Sequence, residues 1–182
     1  MVVTSEYLLL ATPRTGSRAL AKAVMTWDST AIEIAAHHPK PDMVLKYWNG
    51  SKPFYTIIRD PAEQVLSWYY HVKDFTISPT QFAQTYSNGW LFGNVWGDEV
   101  RGKQARACGL NIYEETLGVP VQKFLYKDGL HSALETLGLL GKQAPVIGDS
   151  RVDRTLLTDD FRSVVYNRFP KDVDLFLSCS SI

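Results

Sequence analysis

Twice within its first 71 residues the chain carries an apolar strand straight into a donor-rich loop and then into a helix. The first copy reads Leu8-Leu-Leu-Ala-Thr-Pro-Arg-Thr-Gly-Ser-Arg18, and the second reads Phe54-Tyr-Thr-Ile-Ile-Arg-Asp-Pro-Ala-Glu-Gln-Val-Leu-Ser-Trp-Tyr-Tyr-His71. Strands that alternate with helices are joined by crossovers, which call for parallel neighbours covered by helices on both faces. We therefore expect an α/β chain with a mostly parallel central sheet flanked by helices. Its strands are Tyr7 to Ala11, Ala31 to Ala36, Phe54 to Ile58 and Val121 to Tyr126. Helices are expected over Ser17 to Met25, Pro41 to Tyr47, Pro61 to His71, Leu130 to Leu139 and Thr158 to Phe169, where apolar residues recur at helical spacing or turn residues mark the ends. Leu20, Ala23 and Val24 form the buried stripe of the first helix, and Val65, Trp68 and Tyr69 suit a face turned to the sheet. Ligands in such sheets sit at the carboxyl ends of the strands, a rule that brings Arg14, His37, His38 and Arg59 to one rim.

Both loops suit anions. The first offers Thr12, Arg14, Thr15, Gly16 and Ser17 at a helix start, where unpaired N–H groups and the helix dipole favour negative charge. The second places Arg59 directly after its strand and Ser67 eight residues later, on a helix that Pro61 can open at its first turn. Two anion sites imply a ligand with two anionic ends. A nucleoside-triphosphatase loop would read Gly-x-x-x-x-Gly-Lys followed by Ser or Thr. Here the frame is Ala11-Thr-Pro-Arg-Thr-Gly16-Ser17-Arg18, so the first Gly, the Lys and the magnesium hydroxyl are displaced or missing. Bland readings stand beside these: Arg59 can simply pair with Asp60 or a helix end, and Ser67 can be an ordinary small helical residue.

With 182 residues the chain suits a single domain, residues 1 to 182. Lys plus Arg equals Asp plus Glu at 19 each, so net charge demands neither nucleic acid nor an anionic membrane as partner. No stretch approaches the roughly 20 apolar residues of a membrane span, and the Tyr7 to Ala11 run lacks the basic leader of a signal peptide. The expectation is a soluble, cytoplasmic protein. Cys108 and Cys179 are too few for a disulfide framework or zinc site and read as plain thiols.

The residues carry a family resemblance. Pro13-Arg14-Thr15-Gly16-Ser17 resembles the 5′-phosphosulfate loop of sulfotransferases that use 3′-phosphoadenosine 5′-phosphosulfate (PAPS). Ile57-Ile-Arg59-Asp-Pro, followed by Leu66-Ser67-Trp-Tyr-Tyr-His71, resembles their 3′-phosphate motif, in the family's order. Ala35-Ala-His37-His38-Pro is similar to the strand end that supplies the acceptor-activating base in many carbohydrate sulfotransferases. Phe124-Leu-Tyr-Lys-Asp-Gly-Leu130 and the segment to Leu139 are similar to a later strand and helix of the family. The resemblance implies a P-loop-type three-layer fold and transfer of a sulfuryl group from PAPS to a hydroxyl or amine, on a carbohydrate or small molecule, leaving 3′,5′-ADP (PAP). It assigns Pro13, Arg14, Thr15, Gly16, Ser17 and Arg18 to the 5′ end of the nucleotide and Arg59 and Ser67 to its 3′-phosphate. Arg151 belongs to a closing loop, although the Arg-Lys-Gly of the cytosolic small-molecule branch is missing there. Arg14 acts as a fixed cation, so no metal is expected. Either His38, favoured for its place before Pro39, or His37 takes the acceptor proton, with a carboxylate such as Glu33 as the alternative.

Residues 75 to 104, with Phe75, Phe82, Tyr86, Trp90, Phe92 and Trp96, form either an acceptor-binding region of aromatic faces or a satellite core under a long loop. Glu99 to Cys108 is expected to be helical, its Arg101, Lys103 and Arg106 forming a solvated face. Two other functions remain open on the sequence: a magnesium-dependent kinase of the P-loop class, and a non-catalytic protein of the same fold that binds PAP without turnover.

Overall fold

The computed structural model describes residues 1–12, 14–34, 41–48, 50–72, 76–85, 118, 120–126, 130–145 and 152–180. They show a mixed α/β chain in two compact units, each made of two separate stretches of sequence. The first unit comprises Met1–Ile58 with Gly109–Ile147, and the second Arg59–Cys108 with Gly148–Ile182.

The first unit holds a five-stranded sheet in the order β3-β1-β2-β4-β5. Its strands are β1 (Val2–Val3), β2 (Leu8–Leu9), β3 (Ile32–Glu33), β4 (Phe54–Ile58) and β5 (Val121–Leu125). β4 is parallel to both β2 and β5, whereas β1 is antiparallel to both β2 and β3. The sheet is therefore mixed, with β1 alone reversed between strands that share one direction. β1 is absent from the sequence expectation because two residues carry no readable alternation. The turn that returns the chain into β2 is held by Thr4, whose hydroxyl accepts from the N–H groups of Glu6 and Tyr7 at 3.2 and 3.0 Å.

Alternation along the strands assigns Tyr7, Leu9, Tyr55, Ile57, Phe124 and Tyr126 to one face of the sheet. Against it pack Leu20, Ala23 and Val24 of α1 (Ser17–Trp27), with Ala133 and Leu134 from the helix His131–Thr136, in one apolar cluster. The stripe expected of α1 is thus the buried one, and each Leu or Val so covered contributes roughly 1.5–3 kcal/mol. On the opposite face Trp48, just past α2 (Pro41–Tyr47), meets Phe54 at a ring separation of 5.3 Å.

The second unit is helical among its described residues. It contains α3 (Pro61–Val72), α4 (Pro79–Thr85), α6 (Asp159–Arg168) and α7 (Pro170–Ser180), with His131–Thr136 of the first unit counted as α5. Within this unit α3 packs against α4, α6 and α7, and the expected apolar face of Val65, Trp68 and Tyr69 is buried. Tyr69 sets its ring edge-on to Phe82 of α4 at 5.5 Å and donates its hydroxyl hydrogen to the Ile77 carbonyl at 3.0 Å. α4 lies inside the stretch 75 to 104, for which the sequence predicts a loop region. Its start is a capping box: the Ser78 hydroxyl accepts from the Gln81 N–H at 3.2 Å, and the Gln81 side chain accepts from the Ser78 N–H at 2.9 Å.

Candidate functional site

The loop between β2 and α1 folds on its own hydroxyls. Thr12, Thr15 and Ser17 are all buried. The Thr15 and Ser17 hydroxyls reach the Thr12 carbonyl at 3.0 and 2.7 Å, while Thr12 Oγ1 donates to the Ile57 carbonyl at 2.7 Å and so ties the loop to β4. These three side chains, expected as donors to an anion, are spent on shaping the turn. What the loop presents instead is backbone and charge. Arg14 sits at φ 59°, a left-handed conformation that costs a residue with a Cβ about 1–2 kcal/mol. The inward bonds on either side hold it there.

Gly16, at φ 82°, is the N-cap of α1 and gives the helix no side-chain cap. A Cβ at this position would lie 2.6 Å from Cε2 of Tyr126, so glycine is required both by the backbone angle and by the approaching ring. No acidic residue occupies the first turn of α1, and among the described residues nothing accepts from the N–H groups of Ser17 and Arg18. The contrast with α3, α4 and α6 is chemical. Those starts are closed by Asp60, Ser78 and Thr158, and α3 and α6 also carry Glu63 and Asp159 with Asp160 in their first turns. An open, acid-free helix start is the arrangement that admits an anion. Arg18 is exposed on the same first turn, and Arg14 is half-buried.

Gly16 also borders a cavity of about 580 Å³ whose walls include Ala19, Tyr126, Leu130, His131 and Lys142. Its size falls within the range of small-molecule sites. Lys142 extends its ammonium over the Trp27 ring, 4.4 Å from the centroid, and His131 lies 3.2 Å from Glu135. The sequence reading missed this cavity, because Lys142 and His131 meet Gly16 only through the packing of α5 against α1. No family model, curated protein or solved structure matches this chain.

In the second unit Arg59 pairs with Glu63. Nε of Arg59 lies 2.9 Å from Oε2 of Glu63, and the Arg59 side chain is only 10% exposed. Asp60 is committed elsewhere: its carboxylate caps α3 through the Ala62 N–H at 2.8 Å and accepts from Arg162 and from the Tyr166 hydroxyl, both on α6. Burial and the Asp60 charge push the Tyr166 phenol above its ordinary range. Ser67 is buried within α3. Pro13, His37, His38 and Arg151 lie outside the described residues. Glu33, the alternative base, is exposed on β3 opposite Val2.

Proposed function

We propose that this chain is a PAPS-dependent sulfotransferase of the P-loop-type three-layer fold, acting on a hydroxyl or amine of a carbohydrate or small molecule. The observation that carries the reading is the turn over Arg14 to Gly16: a left-handed arginine and glycine leading into an uncapped, acid-free helix beside a ligand-sized cavity. In this reading the N–H groups at the start of α1 and the Arg14 guanidinium take the 5′-phosphosulfate, while Arg59 and Ser67 take the 3′-phosphate. Arg18 and Arg151 add positive charge around the nucleotide.

The acceptor oxygen or nitrogen attacks sulfur as the bond from sulfur to the 5′-phosphate oxygen breaks. The acceptor's proton passes to His38 or His37, or to a carboxylate such as Glu33. A sulfuryl group in transfer carries less negative charge than a phosphoryl group, so preorganised donors and one fixed cation suffice to stabilise the departing oxygen. The test is thermal stabilisation by PAP against ADP, together with transfer assayed in excess chelator. PAP is expected to bind roughly 10- to 100-fold more tightly than ADP, the worth of charge-assisted hydrogen bonds to one phosphate, and transfer is expected to survive the chelator. Equal stabilisation by the two nucleotides, or activity restored only by magnesium, overturns the reading in favour of kinase-type chemistry.

A further inference from the structure

Glu63 and Ser67 lie four residues apart on α3, which sets their side chains above one another on one face, and Arg59, just before the Asp60 cap, reaches Glu63 from outside the helix. Glu63 therefore stands between the two residues assigned to the 3′-phosphate. Its carboxylate already holds Arg59 Nε at 2.9 Å, and it is itself 25% exposed. Asp60, the other acid beside Arg59, does not compete for this position, because Arg162, Tyr166 and the Ala62 N–H occupy its oxygens.

We propose that Glu63 sets the selectivity of this chain for 3′-phosphorylated nucleotides by occupying Arg59 in the position the phosphate takes. The inference rests on the assignment of Arg59 and Ser67 to the 3′-phosphate. A carboxylate and a phosphate monoester are both planar or tripodal acceptors that satisfy a guanidinium with two oxygens. Only one of them can take the same Nε–H. A 3′-phosphate arriving at Arg59 displaces the Glu63 contact and then lies beside an uncompensated negative charge, which weakens its binding. ADP, with a hydroxyl at the 3′ position, does not meet this carboxylate as an anion. Glu63 thus lowers affinity for PAP and leaves ADP unaffected, an effect that also eases release of PAP as product. A role confined to the dipole at the start of α3 makes the opposite forecast, since loss of the charge there changes stability and both nucleotides equally.

The experiment is titration calorimetry of PAP and ADP against the wild-type chain, Glu63→Gln and Glu63→Ala, with the denaturant midpoint of each variant measured alongside. Glu63→Gln keeps the shape and removes the charge, while Glu63→Ala removes both. The ratio of PAP to ADP affinity is expected to rise on the order of tenfold in both variants, with ADP affinity unchanged within about threefold. If the wild type prefers PAP and the ratio stays level or falls in the variants, Glu63 orients Arg59 rather than competing for it, and this inference is overturned while the 3′-phosphate assignment stands. Should neither wild type nor variants distinguish PAP from ADP, the assignment itself falls and the inference with it.

Discussion

Tyr7 carries its phenol into the apolar cluster beneath α1, where it is 5% exposed and its hydroxyl finds no hydrogen-bond partner among the described residues. Burial, with smaller contributions from Asp28 and Tyr55, holds its pKa well above the ordinary tyrosine range. A raised pKa contributes stability that is fully present below the unfolded value near 10 and is lost as pH rises beyond it, because the unfolded chain then releases a proton that the folded chain retains. Tyr7→Phe is therefore expected to leave stability at neutral pH unchanged or raise it by about 1 kcal/mol, and to flatten the decline above pH ~10. Urea midpoints measured across that range check both. A loss of more than about 1 kcal/mol at neutral pH would mean that the hydroxyl is satisfied. The residue scale also explains why the anion loop was only half legible. Thr12, Thr15 and Ser17 announce hydrogen bonding, but whether a hydroxyl turns to a ligand or to a carbonyl depends on the reversals at Arg14 and Gly16. That choice is set by the neighbouring strand, whose Ile57 carbonyl receives the Thr12 hydrogen.

At the scale of elements, punctuation was the readable part. α2 and β4 fall on their expected bounds, Pro41–Tyr47 and Phe54–Ile58, since proline starts a helix and Asn49-Gly50-Ser51 marks a turn before the strand. The same kind of signal went unused at α4. Ser78-Pro79-Thr80-Gln81 is a capping box with proline at the first helical position, visible in sequence but overshadowed by the aromatic and polar residues that follow. Ser78→Ala is expected to lower global stability by about 1 kcal/mol, as loss of an N-cap does, whereas Ser78→Asp restores it. Chemical denaturation of the two variants decides this, and an unchanged midpoint in Ser78→Ala would remove the cap from the account of α4. α7 escaped for a different reason. Its Pro170 follows directly on Phe169, which closes α6 by donating its N–H to the Val165 carbonyl at 2.9 Å, so two helices meet without a turn to separate them.

For the molecule as a whole, each compact unit draws on two distant stretches of chain. The sheet of the first unit is incomplete at Ile58, because β4 still lacks β5, and Leu20 and Ile57 still lack Ala133, Leu134 and Leu139 from beyond residue 120. A fragment ending at Ile58 is therefore expected to be unfolded, with no cooperative thermal transition by circular dichroism, although it contains the whole anion loop. A folded fragment would show that the hairpin and α1 suffice. Among the described residues no helix is long and apolar enough to cross a membrane. Local pattern alone determined that this chain alternates strands and helices, where α1 and α3 begin, and that Arg14 and Arg59 each follow a strand. Such features depend on neighbours within a few residues, through periodicity, caps and the fixed angle of proline. The antiparallel insertion of β1, the inward turn of the loop hydroxyls and the cavity beside Gly16 were decided by tertiary structure. So was the partition of the two acids, Asp60 to α6 and Glu63 to Arg59. Each of these depends on groups far apart in sequence competing for the same hydrogen bond, charge or buried surface, and that competition is settled only when the chain has packed.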